Sequence, residues 1–95
     1  MHPSKVRRER VKALTDLPNV GPSVAGDLRA LGIEAPAQLV GQDPVALYDR
    51  LCALTGTRQD PCVLDVFLSV VRFMDGEDPK PWWDYTAERK ARFPR

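Results

Sequence analysis

The sequence predicts an all-α domain, and three observations carry that prediction. Pro22, Pro44 and Pro61 stand directly after Gly21, Asp43 and Asp60, and an N-cap residue followed by a first-position proline starts a helix. The apolar residues that follow recur at intervals of three and four, which is one face of a helix. No segment alternates apolar and polar residues convincingly enough to read as a strand. Ninety-five residues with 43% apolar side chains are enough for one domain around one core.

The elements follow in order. A first helix is predicted over 4–15, with Val6, Val11 and Leu14 turned inward and the basic residues outward. A second runs over 22–31, placing Val24, Ala25, Leu28 and Leu31 on one face, and Gly32 terminates it. A short helix over 36–40 turns in Leu39 and Val40 and ends at Gly41. The next starts at Pro44, buries Leu47, Tyr48, Leu51 and Leu54, and stops at Gly56. The helix over 61–74 carries Val63, Val66, Phe67, Val70, Val71 and Met74 at a 3–4 spacing, widened by Leu64, Leu68 and Phe73. A helix apolar on most sides is a central one. Asp75-Gly76-Glu77-Asp78-Pro79 breaks the chain, Pro79-Lys80-Pro81 is extended, and a last short helix covers about residues 85–92.

Charge is uneven along the chain. Lys and Arg total 14 against 13 Asp and Glu, yet residues 1–33 carry a net +3, residues 34–88 a net −6, and the last seven, with Arg89, Lys90, Arg92 and Arg95, a net +4. The near-neutral total excludes a protein that coats nucleic acid by charge alone; a polyanion would meet the basic ends first. No apolar run is long enough to span a bilayer. The start, Met-His-Pro-Ser-Lys-Val-Arg-Arg-Glu-Arg, has no apolar core and does not read as a secretory signal. Two cysteines make no disulfide framework, so a cytoplasmic setting is expected. His2 is the sole histidine, which removes His-based catalysis and His-rich metal sites. Neither an enzyme nor a cofactor is expected.

Function is carried by the turn Leu17-Pro18-Asn19-Val20-Gly21-Pro22-Ser23-Val24-Ala25. It delivers backbone straight into a helix N-terminus, where the N–H groups of Ser23, Val24 and Ala25 have no intrahelical partner and the helix dipole adds partial positive charge. Such an end attracts a phosphate oxygen. Gly21 is expected to allow close approach and unusual dihedrals, Val20 to anchor the turn inward, and Ala25 to let a neighbouring helix cross closely.

This stretch resembles the helix-hairpin-helix motif at Leu17, Pro18, Val20, Gly21, Pro22 and Ala25. Asn19 replaces the usual first glycine, although asparagine tolerates left-handed dihedrals better than most residues. Ser23 stands where many members carry lysine. Residues 54–60, between the helices starting at Pro44 and Pro61, repeat the layout in degenerate form, and Gly56 and Arg58 are its candidates for backbone contact. Gly-Pro-Ser-Val-Ala-Gly-Asp-Leu-Arg-Ala-Leu-Gly-Ile, Asp-Pro-Val-Ala-Leu-Tyr, the segment from Leu51 to Asp65, and Pro-Lys-Pro-Trp-Trp-Asp-Tyr follow one another in order. Together they resemble the bacterial pathogenicity-locus, or mitomycin-resistance, family of small helix-hairpin-helix proteins. Leu-Arg-Ala-Leu-Gly-Ile is also similar to the C-terminal domain of TfoX-type competence regulators.

The resemblance implies a tandem helix-hairpin-helix domain, five-helix and SAM-domain-like, over residues 1–76. A Trp-containing extension over 77–95 docks on the same core. It implies sequence-independent contact with duplex DNA through Asn19, Gly21, Ser23 and Val24, helped by Arg7, Arg8, Lys12 and Arg29. In some members a monovalent cation sits on hairpin carbonyls, and the matching positions are Thr15, Leu17 and Val20. The alternative is a protein-interaction adaptor using the same scaffold and the acidic middle.

Other residues carry weaker readings. Cys62, second in its helix, is a candidate reactive thiol, but Asp60 opposes that, and two small buried apolar residues, Cys52 and Cys62, are the plainer reading. Asp75, Glu77, Asp78 and Asp84 match no cation-binding loop. Trp82 and Trp83 are expected to clip the tail to the core; stacking on bases or filling a partner's groove are the alternatives.

Overall fold

The computed structural model describes residues 2–93, so Arg95, counted among the basic residues of the C-terminus, lies outside it. Four α-helices form: α1 over Pro22–Ala30, α2 over Pro44–Thr55, α3 over Pro61–Met74 and α4 over Thr86–Arg92. Short 3-10 turns supply the remaining regular structure, and no strand occurs among the described residues.

The three proline starts hold. Asp43 accepts hydrogen bonds from the Val45 and Ala46 N–H groups, and Asp60 accepts one from Cys62. Gly32, at φ +87°, ends α1. The Ile33 N–H reaches back to the Leu28 carbonyl and the Gly32 N–H to that of Arg29, both at 2.9 Å, which satisfies carbonyls left open at the helix end. Helix α3 is the centre: every residue from Leu64 to Phe73 is buried except Arg72. Helix α2 packs along it through Leu47, Tyr48 and Leu51, and the Tyr48 hydroxyl donates to the Gln59 carbonyl.

Three expectations are corrected. The first helix does not form. In its place stand 3-10 turns at Pro3–Lys5, Arg8–Arg10 and Leu14–Asp16, with Val6, Val11 and Ala13 extended between and beside them. Val6 and Val11 both pack on the core, yet a helix would set them about 140° apart around its axis; an irregular path brings in both. Asp16 captures the Lys12 and Ala13 N–H groups at 3.0 and 2.9 Å, offering the backbone an alternative to helical bonds. Arg8 pins the segment down, donating to the carbonyls of Phe73 and, at 2.6 Å, Glu77. Its guanidinium lies 4.0 Å from the centre of the Phe73 ring.

Second, the short helix is a single 3-10 turn, Pro36–Leu39. It buries Leu39, but the chain extends at Val40 and leaves that side chain 56% exposed. Third, Leu54, in the last turn of α2, is 59% exposed, while Leu47, Tyr48 and Leu51 earlier in the helix are buried.

The tail packs on the core, but not through its two tryptophans together. Pro81 and Tyr85 are buried, Trp82 is half-buried and Trp83 is open. Burial, and then the Glu77 carboxylate beside it, push the Tyr85 phenol up to about 12. A second clip is ionic. Asp65, 0% exposed on α3, takes the Arg89 Nε at 2.8 Å on one oxygen and the Thr86 hydroxyl at 2.8 Å on the other. Arg72 pairs with both oxygens of Glu88, which also meets Arg92 at 3.1 Å.

Breaking a buried pair from one side leaves a desolvated charge, so Asp65→Ala should lose about 3–5 kcal/mol in a urea titration. Adding Arg89→Met should recover part of that loss. Acid should act through the surface carboxylates. The bond from Arg72, and then its charge and that of Arg92, hold Glu88 below the usual carboxylate range. The Ala13 and Lys12 N–H groups do the same for Asp16, and the Cys62 N–H for Asp60. A carboxyl with a depressed folded pKa adds stability above its unfolded value and loses it as the pH falls through its folded one. Stability should therefore hold from pH 7 to about 5 and fall below about 4. Glu88→Gln should be less stable at pH 7 and show a shallower acid limb.

Candidate nucleic-acid interface

The turn from Leu17 to Gly21 is held from beneath. Leu17, Pro18 and Val20 are buried, and Leu14 and Ala25 meet below them in the core. The unusual dihedral falls on Asn19, at φ +68°, and not on Gly21, whose φ of −96° suits any residue. A Cβ added at Gly21 would meet nothing within 4 Å. Neither conformation nor packing demands glycine there. What glycine does is leave the helix end uncovered.

That end differs from its neighbours. Asp43 and Asp60 cap α2 and α3 with their own carboxylates, whereas α1 has no side-chain cap. Ala25 N–H bonds back to the Gly21 carbonyl at 3.0 Å; the N–H groups of Ser23 and Val24 donate to no other described residue. Two amides and the positive end of the helix dipole therefore face outward beside an exposed Gly21 and Ser23. The degenerate second turn lacks this feature, since Asp60 already occupies the start of α3.

A cleft of about 570 Å3 opens between this turn and the N-terminal segment. Gly21, Val20 and Asn19 form one wall; Lys5, Arg7 and Arg10 contribute three cations to the other. Arg7 sits 3.8 Å from Glu9, with both side chains well exposed. Asp16 is the acid in the lining, with one oxygen engaged by the two backbone N–H groups. Thr15, Leu17 and Val20 also line it. Their donors are neutral oxygens, suited in kind to a monovalent cation. The Leu17 carbonyl takes the Val20 N–H at 3.4 Å and keeps a second lone pair.

The other expected contacts scatter. Arg8 is turned onto Phe73 and Glu77 and holds the fold. Arg29 lies in the last turn of α1, roughly 12 Å along the axis from Gly21, and is not in the cleft. Lys12 is exposed beside Asp16. Lys5 and Arg10 were not singled out in the sequence: on a helix they would point about 140° apart, and only the irregular path brings them to one wall.

Asn19 turns its side chain inward. Its amide nitrogen donates to the Ser69 hydroxyl and the Lys80 carbonyl, both at 2.9 Å, and its Oδ1 accepts the Trp82 N–H at 3.1 Å. One residue thereby fastens the turn to α3 and to the tail.

The cysteines are free and half-buried. Burial, then the bond and charge of Asp60, push the Cys62 thiol up, the reverse of what activates a nucleophile. Asp75 accepts the Gly41 N–H at 3.0 Å, and Glu77 faces Arg72 and Lys80 at 3.8 and 3.7 Å. Among the described residues no group of three or more acids, cysteines or histidines is arranged to hold a metal. No helix there is long and apolar enough to cross a membrane.

Comparison with known proteins agrees with the resemblance read from the sequence. The Cdd1 family, described as pathogenicity locus, matches residues 7–91. The mitomycin resistance protein McrB of Streptomyces lavendulae is 51% identical over 77 residues, covering 81% of this chain and 73% of that protein. No solved structure matches.

Asn19 offers a direct test of the turn. Asn19→Gly keeps the left-handed backbone and removes three hydrogen bonds; Asn19→Ala removes them and adds a strain of roughly 1–2 kcal/mol. Both should speed hydrogen exchange at the Trp82 N–H. The alanine variant should be the less stable of the two by about that strain.

Proposed function

The chain belongs to the pathogenicity-locus family, and from that premise we propose that it is a non-catalytic module that holds DNA by its phosphates, without regard to sequence. The observation that carries this reading is the uncapped start of α1. Gly21, the N-cap residue of that start, lines the cleft that Lys5, Arg7 and Arg10 border, and the Ser23 and Val24 amides follow it at the exposed end of the helix. A phosphate oxygen at Gly21 accepts from the two amides, and the neighbouring phosphate meets the cations. A monovalent cation on Thr15, Leu17 and Val20 would add a positive charge at the same wall. On the second side of the turn stands a regular helix, α1; on the first, Leu14–Asp16 is one 3-10 turn where the helix-hairpin-helix motif would have a helix.

Nothing in this grip reads a base edge, so affinity comes from backbone contacts and selectivity for sequence is low. With ~2–4 phosphates in reach, binding is micromolar or weaker and falls with salt. A second reading, a protein adaptor, is favoured by the exposed Leu54 beside a shallow groove formed with Ala30, Leu31 and Ala53.

Fluorescence anisotropy on a random duplex tests the first reading. A plot of log affinity against log salt should slope about −2 to −4. Arg7→Ala and Arg10→Ala should each reduce that slope by about 1. Gly21→Glu, which the open space at Gly21 accommodates, should abolish binding by setting a carboxylate at the amides. Duplex binding indifferent to Gly21→Glu would remove the turn from the account.

A further inference from the structure

We propose that Trp83 is a stacking platform for an unpaired base, and that the preferred nucleic acid is single-stranded. The proposal rests on the phosphate-binding reading of the Gly21–Val24 turn and goes further in naming the form of the strand.

Trp83 is 52% exposed, although the turn that carries it is firmly docked through buried Pro81 and Tyr85. An indole left open on a rigid support differs from one on a loose end. Two other rings pack against Trp83. Trp82 meets it edge-on, with centroids 5.6 Å apart and planes at 84°, and His2 does so at 6.2 Å and 78°. Two edge contacts hold the indole, while half of its surface stays in water.

The position matters as much as the exposure. Asn19, which lines the cleft, holds the Trp82 N–H at 3.1 Å. Pro3, the residue after His2, lines it as well. The aromatic group is thus tied on two sides to residues that line the cleft bordered by Lys5, Arg7 and Arg10, through the Trp82–Asn19 bond and through His2 beside Pro3. A charged groove with an aromatic face beside it is the arrangement that binds single strands. In a continuous duplex both faces of each base are already stacked, so only the backbone can be gripped; a single strand presents backbone and base faces together. Asp84, exposed next to Trp83, disfavours a phosphate there and suits a neutral base. Glu9 and Asp16, the acids nearest the cations, are engaged with Arg7 and with backbone N–H groups.

The test compares a twelve-residue thymidine oligonucleotide with a twelve-base-pair duplex on the full chain at low salt. Anisotropy and tryptophan emission are read together. The wild type should bind the single strand at least as tightly as the duplex and lose emission on doing so. Trp83→Ala should weaken single-strand binding about five- to hundredfold and leave duplex binding within twofold. Trp83→Phe should restore most of the loss. Circular dichroism unchanged in both variants excludes misfolding. Single-strand binding within twofold of wild type in Trp83→Ala overturns the proposal, as does equal loss on both DNA forms or no single-strand binding by the wild type. If the duplex is then still bound and Gly21→Glu still abolishes it, the phosphate reading stands and only the stacking falls. If neither DNA is bound, both fall.

Discussion

Helix α3 is buried on nearly every side, and it carries two polar side chains into that burial. Asp65 and Ser69 cannot be left unpartnered there, because a desolvated carboxylate or hydroxyl without a hydrogen bond is strongly unfavourable. Each draws in a different part of the chain. Asp65 takes Arg89 and Thr86 and so fixes α4. Ser69, whose own hydroxyl donates to the Val66 carbonyl at 2.6 Å, accepts from Asn19 and so fixes the turn before α1. The sequence-distant pieces of the candidate site meet because two polar atoms on one helix require them to.

Asn19 is where these constraints join. Its left-handed backbone makes the bend, and its amide faces three groups on α3 and the tail. A glycine, the more usual residue of the motif at this place, would make the same bend without the bonds. The asparagine therefore changes what the motif can do: the turn is coupled to Trp82 and, through it, to the exposed ring of Trp83. The residues after Met74 are part of this arrangement. Without them Asp65 would be a buried charge with no partner, and Tyr85 would be missing from the core.

The sequence was most legible where the signals are local. Proline after Asp or Gly marked three helix starts, Gly32 and Gly56 marked two ends, and the 3–4 spacing after Pro61 marked the buried helix. These features act within a few residues and owe little to the rest of the chain. Legibility failed where a partner far along the chain decides. Residues 4–15 are rich in helix-forming Arg and Lys, but an isolated stretch of this length is a marginal helix. Arg8 on Phe73 and Asp16 on the Lys12 and Ala13 amides give it a different path. For the same reason Arg8 became an anchor and Lys5 and Arg10 became neighbours. Leu54, Val40 and Trp83 each read as core residues by type or period. Whether a residue at the end of an element is covered depends on how far the opposing element reaches, which spacing alone does not contain.

The uncapped start of α1 has to be weighed in the same physical terms. Glycine at an N-cap is less favourable than Asp or Ser by only a few tenths of a kcal/mol, so its presence is weak evidence for a ligand when taken alone. It gains force from the company it keeps. The two longer helices of this chain both begin with a carboxylate that fills their amides; the helix facing the basic cleft does not. A carboxylate at position 21 would add a negative charge to a wall that faces Lys5, Arg7 and Arg10, and would compete with a phosphate for the same donors. Stability favours capping α1 slightly, and anion binding disfavours it more, since a charge-assisted hydrogen bond is worth roughly 1.5–3 kcal/mol. On those magnitudes, open amides at the start of α1 cost folding little and would serve a bound anion more than a cap would serve the helix.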